Sequence, residues 1–292
     1  MMKSEYKRYV FSKSTIALLM CLFGCFFIGC MSVLAERNEF LVQLQNPMTD
    51  MNVAYTQELV NGYNGFSYIF AFFNSNVHLV FTLILLSGLS LILGKVTWGN
   101  IHEGMGNFLV SRLTYKKYIK NILMAQVLYI ITVLSAFFLS ITIILLVVFP
   151  MNPLYRTTTS FPLDNETLLG NLLICLSFYV LTCIYMILVI VLTSLITFWV
   201  HNKYLIQTVP IVIYLIPLLL ASTVGNLSSG AGYILNNFVA DRFLLIPDTY
   251  LSENIISVTE LLLCVLPLPI LFVLLIILAY QKNVTVYQKA YL

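Results

Sequence analysis

Six long stretches of the sequence contain no lysine, arginine, aspartate or glutamate. An apolar run of about 18 residues or more is long enough to cross the hydrocarbon core of a bilayer as a helix. The pattern therefore predicts an all-α, polytopic membrane protein with six transmembrane helices. The predicted spans are residues 14–34, 77–94, 123–149, 168–200, 204–224 and 261–280.

The fourth run is longer than a membrane requires. A helix over residues 168–200 would measure about 50 Å, against a hydrocarbon core of about 30 Å. We therefore expect this helix to tilt, break or project beyond the bilayer. The fifth and sixth runs contain prolines, which are sites where a membrane helix can kink. These prolines are Pro210, Pro217, Pro267 and Pro269.

The charges between the runs predict the orientation of the chain. With the N-terminus inside, twelve of the 15 lysines and arginines fall in internal segments. This excess is the positive-inside signal, and it predicts a plasma membrane protein with both termini cytoplasmic. The main internal segments are then 1–13 and 95–121, and the external segments are 35–76 and 225–260. Because the basic residues lie near the ends of the spans, they indicate contact with lipid headgroups and not with nucleic acid.

Composition excludes several classes of protein. The 292 residues are 60% hydrophobic and only 9% charged, against about 25% charged in a soluble domain. We expect residues 1–292 to form one transmembrane domain without a soluble catalytic unit. The six cysteines all lie in predicted spans and lack the spacing of a metal site, so neither a disulfide framework nor a metal is expected. No P-loop, metalloprotease or hydrolase motif occurs, and no paired carboxylates lie in the spans, which argues against enzyme activity.

The first span carries a stripe of small residues, Ala17, Cys21, Cys25 and Gly29. Small residues at four-residue spacing let two helix backbones approach closely in lipid. The stripe therefore predicts a tight helix–helix interface, either between two subunits or within one. The same region is similar to a lipoprotein signal that ends at Cys25, but Phe23 stands where a small residue is usual. We therefore expect the span to be retained.

Four features outside or at the ends of the spans lead to separate expectations. Residues 1–13 place aromatic side chains at helical spacing among basic ones, which predicts an amphipathic helix on the inner membrane surface. Residues 63–73 are apolar but too short to span, so they rest on the outer leaflet or lead into the second span.

Residues 225–260 fit a re-entrant hairpin or an ordinary outer loop. His78 is expected to be an interfacial polar residue and not a ligand.

The internal segment 95–121 is longer than the usual two to eight residues between packed helices, so we expect it to have structure. Residues 107–120 predict a helix in which Arg112, Lys116 and Lys120 form a basic row at four-residue intervals. Such a row fits docking to a partner protein, and it also fits binding to anionic lipid.

Within this segment, Glu103-Gly104, then Ser111-Arg112, and then Tyr118 and Lys120 form a pattern that resembles the ABC-2 type transporter permeases. The layout resembles that family as well: a basic amphipathic N-terminal segment, six spans, a long internal segment after the second span and an external hairpin before the sixth. The likeness in layout covers most of the chain, whereas the motif covers about 18 residues. The resemblance implies the ABC-2 (type V exporter-like) fold.

The resemblance also implies that the transport pathway and the ATP-binding site lie on separate chains. Two permease subunits would pair as a homodimer or heterodimer, and each would dock a cytoplasmic ABC ATPase subunit that binds ATP and Mg, so this chain would hold no cofactor. Segment 1–13 would be the connecting helix, segment 95–121 the coupling loop and segment 225–260 the external hairpin. The residues implied in coupling to the ATPase are Glu103, Gly104, Ser111, Arg112, Lys116, Tyr118 and Lys120.

The cargo implied by the resemblance is amphipathic or hydrophobic, such as an antimicrobial peptide, a drug or a lipid-like molecule moved outward. The spans offer Ser, Thr, Asn, Tyr and Phe and no charge signature. Two alternatives stay open. A stand-alone membrane immunity or sensor protein would have no ATPase partner. A secondary transporter would have buried ionisable residues and internal repeats, and neither is evident in the sequence.

Overall fold

The computed structural model of the protein describes residues 2–46, 53–62, 65–74, 76–102, 115–148, 168–200, 202–227, 235–245, 262 and 265–291. Within these ranges the secondary structure is helical and contains no strand. We number ten helices in chain order. They are α1 (Met2–Val10), α2 (Lys13–Gln45), α3 (Val53–Gly62), α4 (Gly65–Asn74), α5 (Val77–His102), α6 (Tyr115–Val148), α7 (Leu168–Ile196), α8 (Lys203–Leu227), α9 (Ala240–Leu244) and α10 (Pro267–Tyr291).

Six of these helices are long and apolar enough to cross a membrane, which confirms the prediction of an all-α protein with six candidate spans. They are α2, α5, α6, α7, α8 and α10. The fourth run ends as a helix at Ile196 and not at residue 200, because residues 197–199 form a turn. The first span is longer than predicted, since α2 continues to Gln45 and so includes part of the segment expected to be external.

The six long helices pack as a single bundle. Helix α2 lies against α5, α6 packs on α7, and α10 also packs on α7. Helix α8 contacts α7 and the middle of α5. The short helix α4 lies among α2, α5 and α6, which gives the bundle an additional internal element.

The internal segment 95–121 is helical at both ends: the helix predicted over residues 107–120 is confirmed for residues 115–120, whereas the loop predicted to begin at residue 95 is wrong. Residues 95–102 continue α5, and residues 115–121 are the first turns of α6. Between Ser90 and Gly94 the helix widens into a π-helical segment, and it resumes as an α-helix at Lys95. The hydrophobic pattern ends at residue 94 because the next residues are polar. The helix continues because backbone hydrogen bonding does not depend on hydrophobicity.

The aromatic segment that the sequence placed on the outer leaflet or before the second span is α4, which is buried in the bundle. Phe72 and Phe73 are 1% and 2% exposed. The Phe73 ring stacks on Phe178 of α7 with 4.0 Å between ring centroids, and Phe72 packs edge-on to Phe81 of α5. Burial is possible because the backbone of a helix satisfies its own hydrogen bonds, so only apolar side chains contact the neighbouring helices.

His78 lies in this aromatic cluster and is not an interfacial polar residue. It is 3% exposed, and its ring contacts Phe72, Phe73 and Phe81. The expectation from the sequence was therefore wrong about its environment, because α4 covers the end of α5. The described residues contain no group of His, Cys, Asp or Glu that could hold a metal ion.

Helix α8 docks on the π-helical segment of α5 through a proline-dependent contact. Pro210 lacks the N–H that would bond to the Ile206 carbonyl. The buried Ser90 hydroxyl donates to the Ile206 and Gln207 carbonyl oxygens, both at 3.2 Å. Gly94 allows this approach, since a Cβ there would lie 3.2 Å from the Ile206 side chain. The proline and the serine together fix the start of α8 against α5.

We expect Ser90→Ala to lower the free energy of unfolding by about 1–2 kcal/mol, because it leaves the buried Ile206 carbonyl without a donor. The matched control is Ser87→Ala on the same helix. Its hydroxyl bonds only the Ile84 carbonyl of its own helix, so we expect a change below about 0.5 kcal/mol. Reversible unfolding in mixed detergent micelles, followed by circular dichroism, measures both. Equal effects of the two changes would contradict the docking role.

The prolines of the sixth span lie at a bend in the chain. The Leu266 N–H donates to the Leu262 carbonyl, a helical bond that precedes the bend at Leu266. Pro267 is the first residue of α10 and Pro269 lies in its first turn, where proline favours helix initiation. By contrast, Pro210 and Pro217 lie inside α8, as the sequence predicted.

A second buried polar contact joins three helices. Gln126 of α6 is fully buried, and its amide donates to the Thr97 hydroxyl of α5 at 2.8 Å. The Ser194 hydroxyl of α7 donates to the Gln126 carbonyl at 2.9 Å. A buried polar side chain is stable in such surroundings because both ends of its amide are paired. The network fixes the relative rotation of α5, α6 and α7.

Candidate functional site

Four of the seven residues implied in coupling to an ATPase lie outside the described residues: Glu103, Gly104, Ser111 and Arg112. The other three lie on the first turns of α6. Lys116 and Lys120 are exposed and share one face because they are four residues apart. Tyr118 is 1% exposed, so its side chain faces the protein and is not available to a partner. The exposed part of the predicted basic row is therefore the pair Lys116 and Lys120.

The N-terminal segment is helical, as predicted, and its side chains Tyr6 and Tyr9 contact the protein, whereas Phe11 is 81% exposed. The Tyr6 hydroxyl hydrogen-bonds the Thr132 hydroxyl of α6 at 2.9 Å. The buried Tyr9 ring packs on Tyr129 with centroids 5.7 Å apart. The Thr15 hydroxyl donates to the Tyr9 carbonyl at 2.7 Å. Helix α1 is thus fixed along the first half of α6, beside the exposed Lys116 and Lys120.

The chain bends sharply between α1 and α2, and the sequence encodes the bend. Ser12 has an extended backbone, and its hydroxyl oxygen accepts from the Thr15 N–H at 3.2 Å. A serine at this position satisfies a free N–H of the first turn, which begins α2 at Lys13. The bend lets α1 fold back on α6.

The small-residue stripe of the first span divides into two halves. Cys25 and Gly29 are buried within this chain, and a Cβ on Gly29 would lie 2.7 Å from the Phe72 ring. Ala17 and Cys21 are exposed on the single chain. Of the two readings left open by the sequence, packing within the subunit therefore holds for Cys25 and Gly29. Contact with a second subunit stays a prediction for Ala17 and Cys21.

The principal site that the sequence did not predict is a carboxylate inside the bundle. Asp241 belongs to the short helix α9, which packs against α7 and α8. The Tyr214 hydroxyl of α8 donates to an oxygen of the Asp241 carboxylate. The buried Tyr185 of α7 lies beside this pair, with its ring centroid 6.5 Å from that of Tyr214. Two tyrosines and one carboxylate thus meet where α7, α8 and α9 converge.

The partners of Asp241 place it alongside the middle of the long helices. Tyr214 is the twelfth residue of the 25-residue α8, and Tyr185 is the eighteenth residue of the 29-residue α7. Helix α7 carries no charged residue, and the only basic residue of α8 is Lys203 at its start. Among the described residues no ion pair to Asp241 is formed.

Burial raises the pKa of the Asp241 carboxyl above its usual value, and the hydrogen bond from Tyr214 opposes that rise. The group is therefore easier to protonate than an exposed aspartate. The only signal for it in the sequence is that an apolar stretch, Tyr233 to Leu251, is interrupted by Asp241, Arg242 and Asp248. Hydropathy alone gives no information on which of these charges is buried.

The segment 225–260 is only partly described. Residues 225–227 complete α8, residues 235–245 contain α9, and the remainder up to residue 261 lies outside the described residues. Within the described part, Val239, Ala240, Phe243 and Leu244 are buried. The chain between α8 and α10 therefore returns into the bundle at α9. The re-entrant hairpin and the ordinary outer loop both stay predictions, because residues 228–234 and 246–260 lie outside the described residues.

The fold and these placements define a class of protein: an all-helical, multi-pass membrane protein with six candidate spans and short helices packed inside the bundle. No protein-family model, curated protein or solved structure matches the chain. Any narrower statement of function therefore depends on the residues themselves.

Proposed function

We propose that this chain is the membrane-spanning subunit of an ATP-driven exporter of the ABC-2 type, in which a separate ATPase supplies the energy. The observation that carries the proposal is the exposed pair Lys116 and Lys120 on the first turns of α6. These turns directly follow residues 103–114, which hold the other residues of the ABC-2-like motif. A basic, solvent-facing helix end fixed to the bundle is suited to transmit movement from a docked partner.

Two further features support this proposal. Helix α1 is hydrogen-bonded to α6 through Tyr6 and Thr132, so a force on the start of α6 reaches the N-terminal segment as well. Helix α9 enters the bundle before α10, as the external hairpin of such a permease would. The proposed cargo is amphipathic or hydrophobic, the proposed location is the plasma membrane with both termini cytoplasmic, and a second permease subunit and lipid are further partners.

We expect Lys116→Glu/Lys120→Glu to weaken co-purification of an ATPase subunit by on the order of ten-fold, because two attractive charges become repulsive. The matched control is Lys3→Glu/Lys7→Glu, which reverses two exposed charges on α1. The measurement is a tagged pull-down from detergent-solubilised membranes, with ATP hydrolysis assayed in the eluate. The control is expected to behave like the unaltered chain.

Two outcomes would count against the proposal. If no ATPase accompanies the unaltered chain, the exporter assignment is wrong and a stand-alone immunity or sensor protein becomes the better description. If both double variants lose the ATPase equally, the loss is explained by a general effect of charge and not by docking at α6.

The half-buried carboxylate of Asp241 supports a second candidate, a secondary transporter that couples cargo movement to a proton or cation. Asp241 is the ionisable group that such a mechanism requires near mid-membrane. In proteoliposomes without any ATPase, an imposed pH gradient would then drive uptake of cargo, and Asp241→Asn would abolish this uptake. An ATP-driven exporter would show no transport under these conditions, so the experiment separates the two candidates.

A further inference from the structure

A cavity of about 670 Å³ opens at the end of the bundle where α1, α5 and α8 meet. We call it the basic cavity, because it is lined by Arg8 of α1, Lys95 of α5 and Lys203 of α8. Among the described residues, no acidic side chain lines it. Its walls come from three separate helices, so the three cations converge only in the folded chain.

The fold itself brings these cations together. The Ser12 cap bends α1 back along α6 and so brings Arg8 to the cavity. The bond from Ser90 to the Ile206 carbonyl fixes the first turn of α8, which carries Lys203, next to the π-helical segment of α5. Lys95 is the first residue after that segment.

The charged residues that line the cavity are all basic among the described residues. Glu5 of α1 does not line it, although its charge acts on the lining Tyr9. Leu91, Ile92 and Val96 form an apolar wall beside the cations. The site therefore combines three positive charges and an apolar surface.

We propose that the basic cavity binds a phosphate-bearing anion, held by Arg8, Lys95 and Lys203. Arginine donates to phosphate oxygens in a bidentate manner, and lysine supplies point charge. The same chemistry is offered by the headgroup of an anionic phospholipid and by soluble phosphate. The site is independent of whether the chain works with an ATPase.

The experiment uses the full chain purified in a neutral detergent. Dioleoylphosphatidylglycerol, dioleoylphosphatidylcholine and inorganic phosphate are titrated separately at constant ionic strength, and binding is followed by native mass spectrometry and by thermal unfolding. The test variant is Arg8→Gln/Lys95→Gln/Lys203→Gln. The matched control is Lys3→Gln/Lys7→Gln/Lys13→Gln, which removes three exposed positive charges from the same end of the chain without altering the cavity.

We expect the unaltered chain and the control to bind phosphatidylglycerol at least about ten-fold more tightly than phosphatidylcholine, and the test variant to lose this preference. That result identifies a lipid headgroup as the ligand. If inorganic phosphate stabilises the unaltered chain and the control but not the test variant, without any lipid preference, the proposal also holds and the source is soluble phosphate. Equal losses in test and control variants, or no preference in the unaltered chain, would overturn it.

Discussion

Phe72→Ala should lower the free energy of unfolding by about 3–5 kcal/mol, a larger loss than from any other single change considered for this bundle. Phe72 is 1% exposed and contacts rings on two neighbouring helices, Phe26 of α2 and Phe81 of α5. Lipid tails are themselves apolar, so the loss of dispersion contacts and the cavity that remains contribute most of the effect.

The control for this change is Phe27→Ala on α2. Its ring is 53% exposed, so truncation leaves no internal cavity, and we expect a loss below about 1 kcal/mol. Unfolding by a denaturing detergent, monitored by circular dichroism, gives both values. A loss from Phe72→Ala no greater than that from Phe27→Ala would show that α4 is not packed inside the bundle.

Gly29 provides an independent check of the same contact. A Cβ at Gly29 would lie 2.7 Å from the Phe72 ring, whereas a Cβ at Gly24 on the same helix meets nothing within 4 Å. Gly29→Ala should therefore cost about 1–3 kcal/mol, and Gly24→Ala should be neutral or stabilising because alanine favours the helix. In the double variant with Phe72→Ala, the cost of Gly29→Ala should disappear, since the ring that it would meet has gone.

Tyr214→Phe is expected to have the second largest effect, a loss of roughly 1.5–3 kcal/mol at neutral pH. The change removes the donor to the Asp241 carboxylate, and hydrogen bonds to charged groups contribute about this much. The matched control is Tyr204→Phe on the same helix. The Tyr204 side chain is 65% exposed, so we expect less than about 0.5 kcal/mol.

The loss from Tyr214→Phe should depend on pH, with a sign that follows from the pKa of Asp241. Burial raises the pKa of this carboxyl in the folded protein. Near pH 4, close to the pKa of an unfolded aspartate, ionisation contributes little. As the pH rises above that value, the buried group resists ionisation and stability falls. Without the Tyr214 bond, which lowers the pKa, the fall should be steeper.

We therefore expect the difference in stability between the unaltered chain and Tyr214→Phe to be larger at pH 8 than at pH 4.5. The groups facing Asp241 from the neighbouring helices are Tyr185 and Tyr214, and Arg242 adjoins it in the chain. Repeating both measurements in an Asp241→Asn background should remove the pH dependence. A difference that is constant across this range would show that Asp241 does not titrate in the folded protein.

Hydropathy was sufficient for the number and approximate position of the six spans, because a long charge-free run has few other uses. Hydropathy did not predict helical residues that lie outside an apolar run. Residues 95–102 are polar enough to suggest a loop, yet they continue α5. The aromatic residues of α4 predict an apolar environment equally well on a membrane surface and inside a bundle, so their burial against Phe178 could not be predicted.

The candidate sites likewise include contacts that the sequence predicts and contacts that it does not. Small residues at four-residue spacing indicated close packing, and the fold realises it at Gly29. The convergence of Arg8, Lys95 and Lys203 and the contact between Tyr214 and Asp241 join residues far apart in sequence. Such pairings depend on the bend at Ser12 and on the re-entry of α9, and neither is encoded in a periodic pattern. The spacing of the basic row likewise gave no indication that Tyr118 would be buried.

The π-helical segment of α5 has a consequence for how this helix tolerates changes in length. A π-turn encloses one residue more than an α-turn, so α5 is equivalent to an uninterrupted helix that has gained a single residue between Ser90 and Gly94. Deletion of one residue there would restore α-helical pairing and keep both flanking faces in register. Deletion elsewhere in α5 would rotate everything beyond it by about 100°, carrying Thr97 and Asn100 away from their neighbours. Length variation among related chains should therefore concentrate at this one turn.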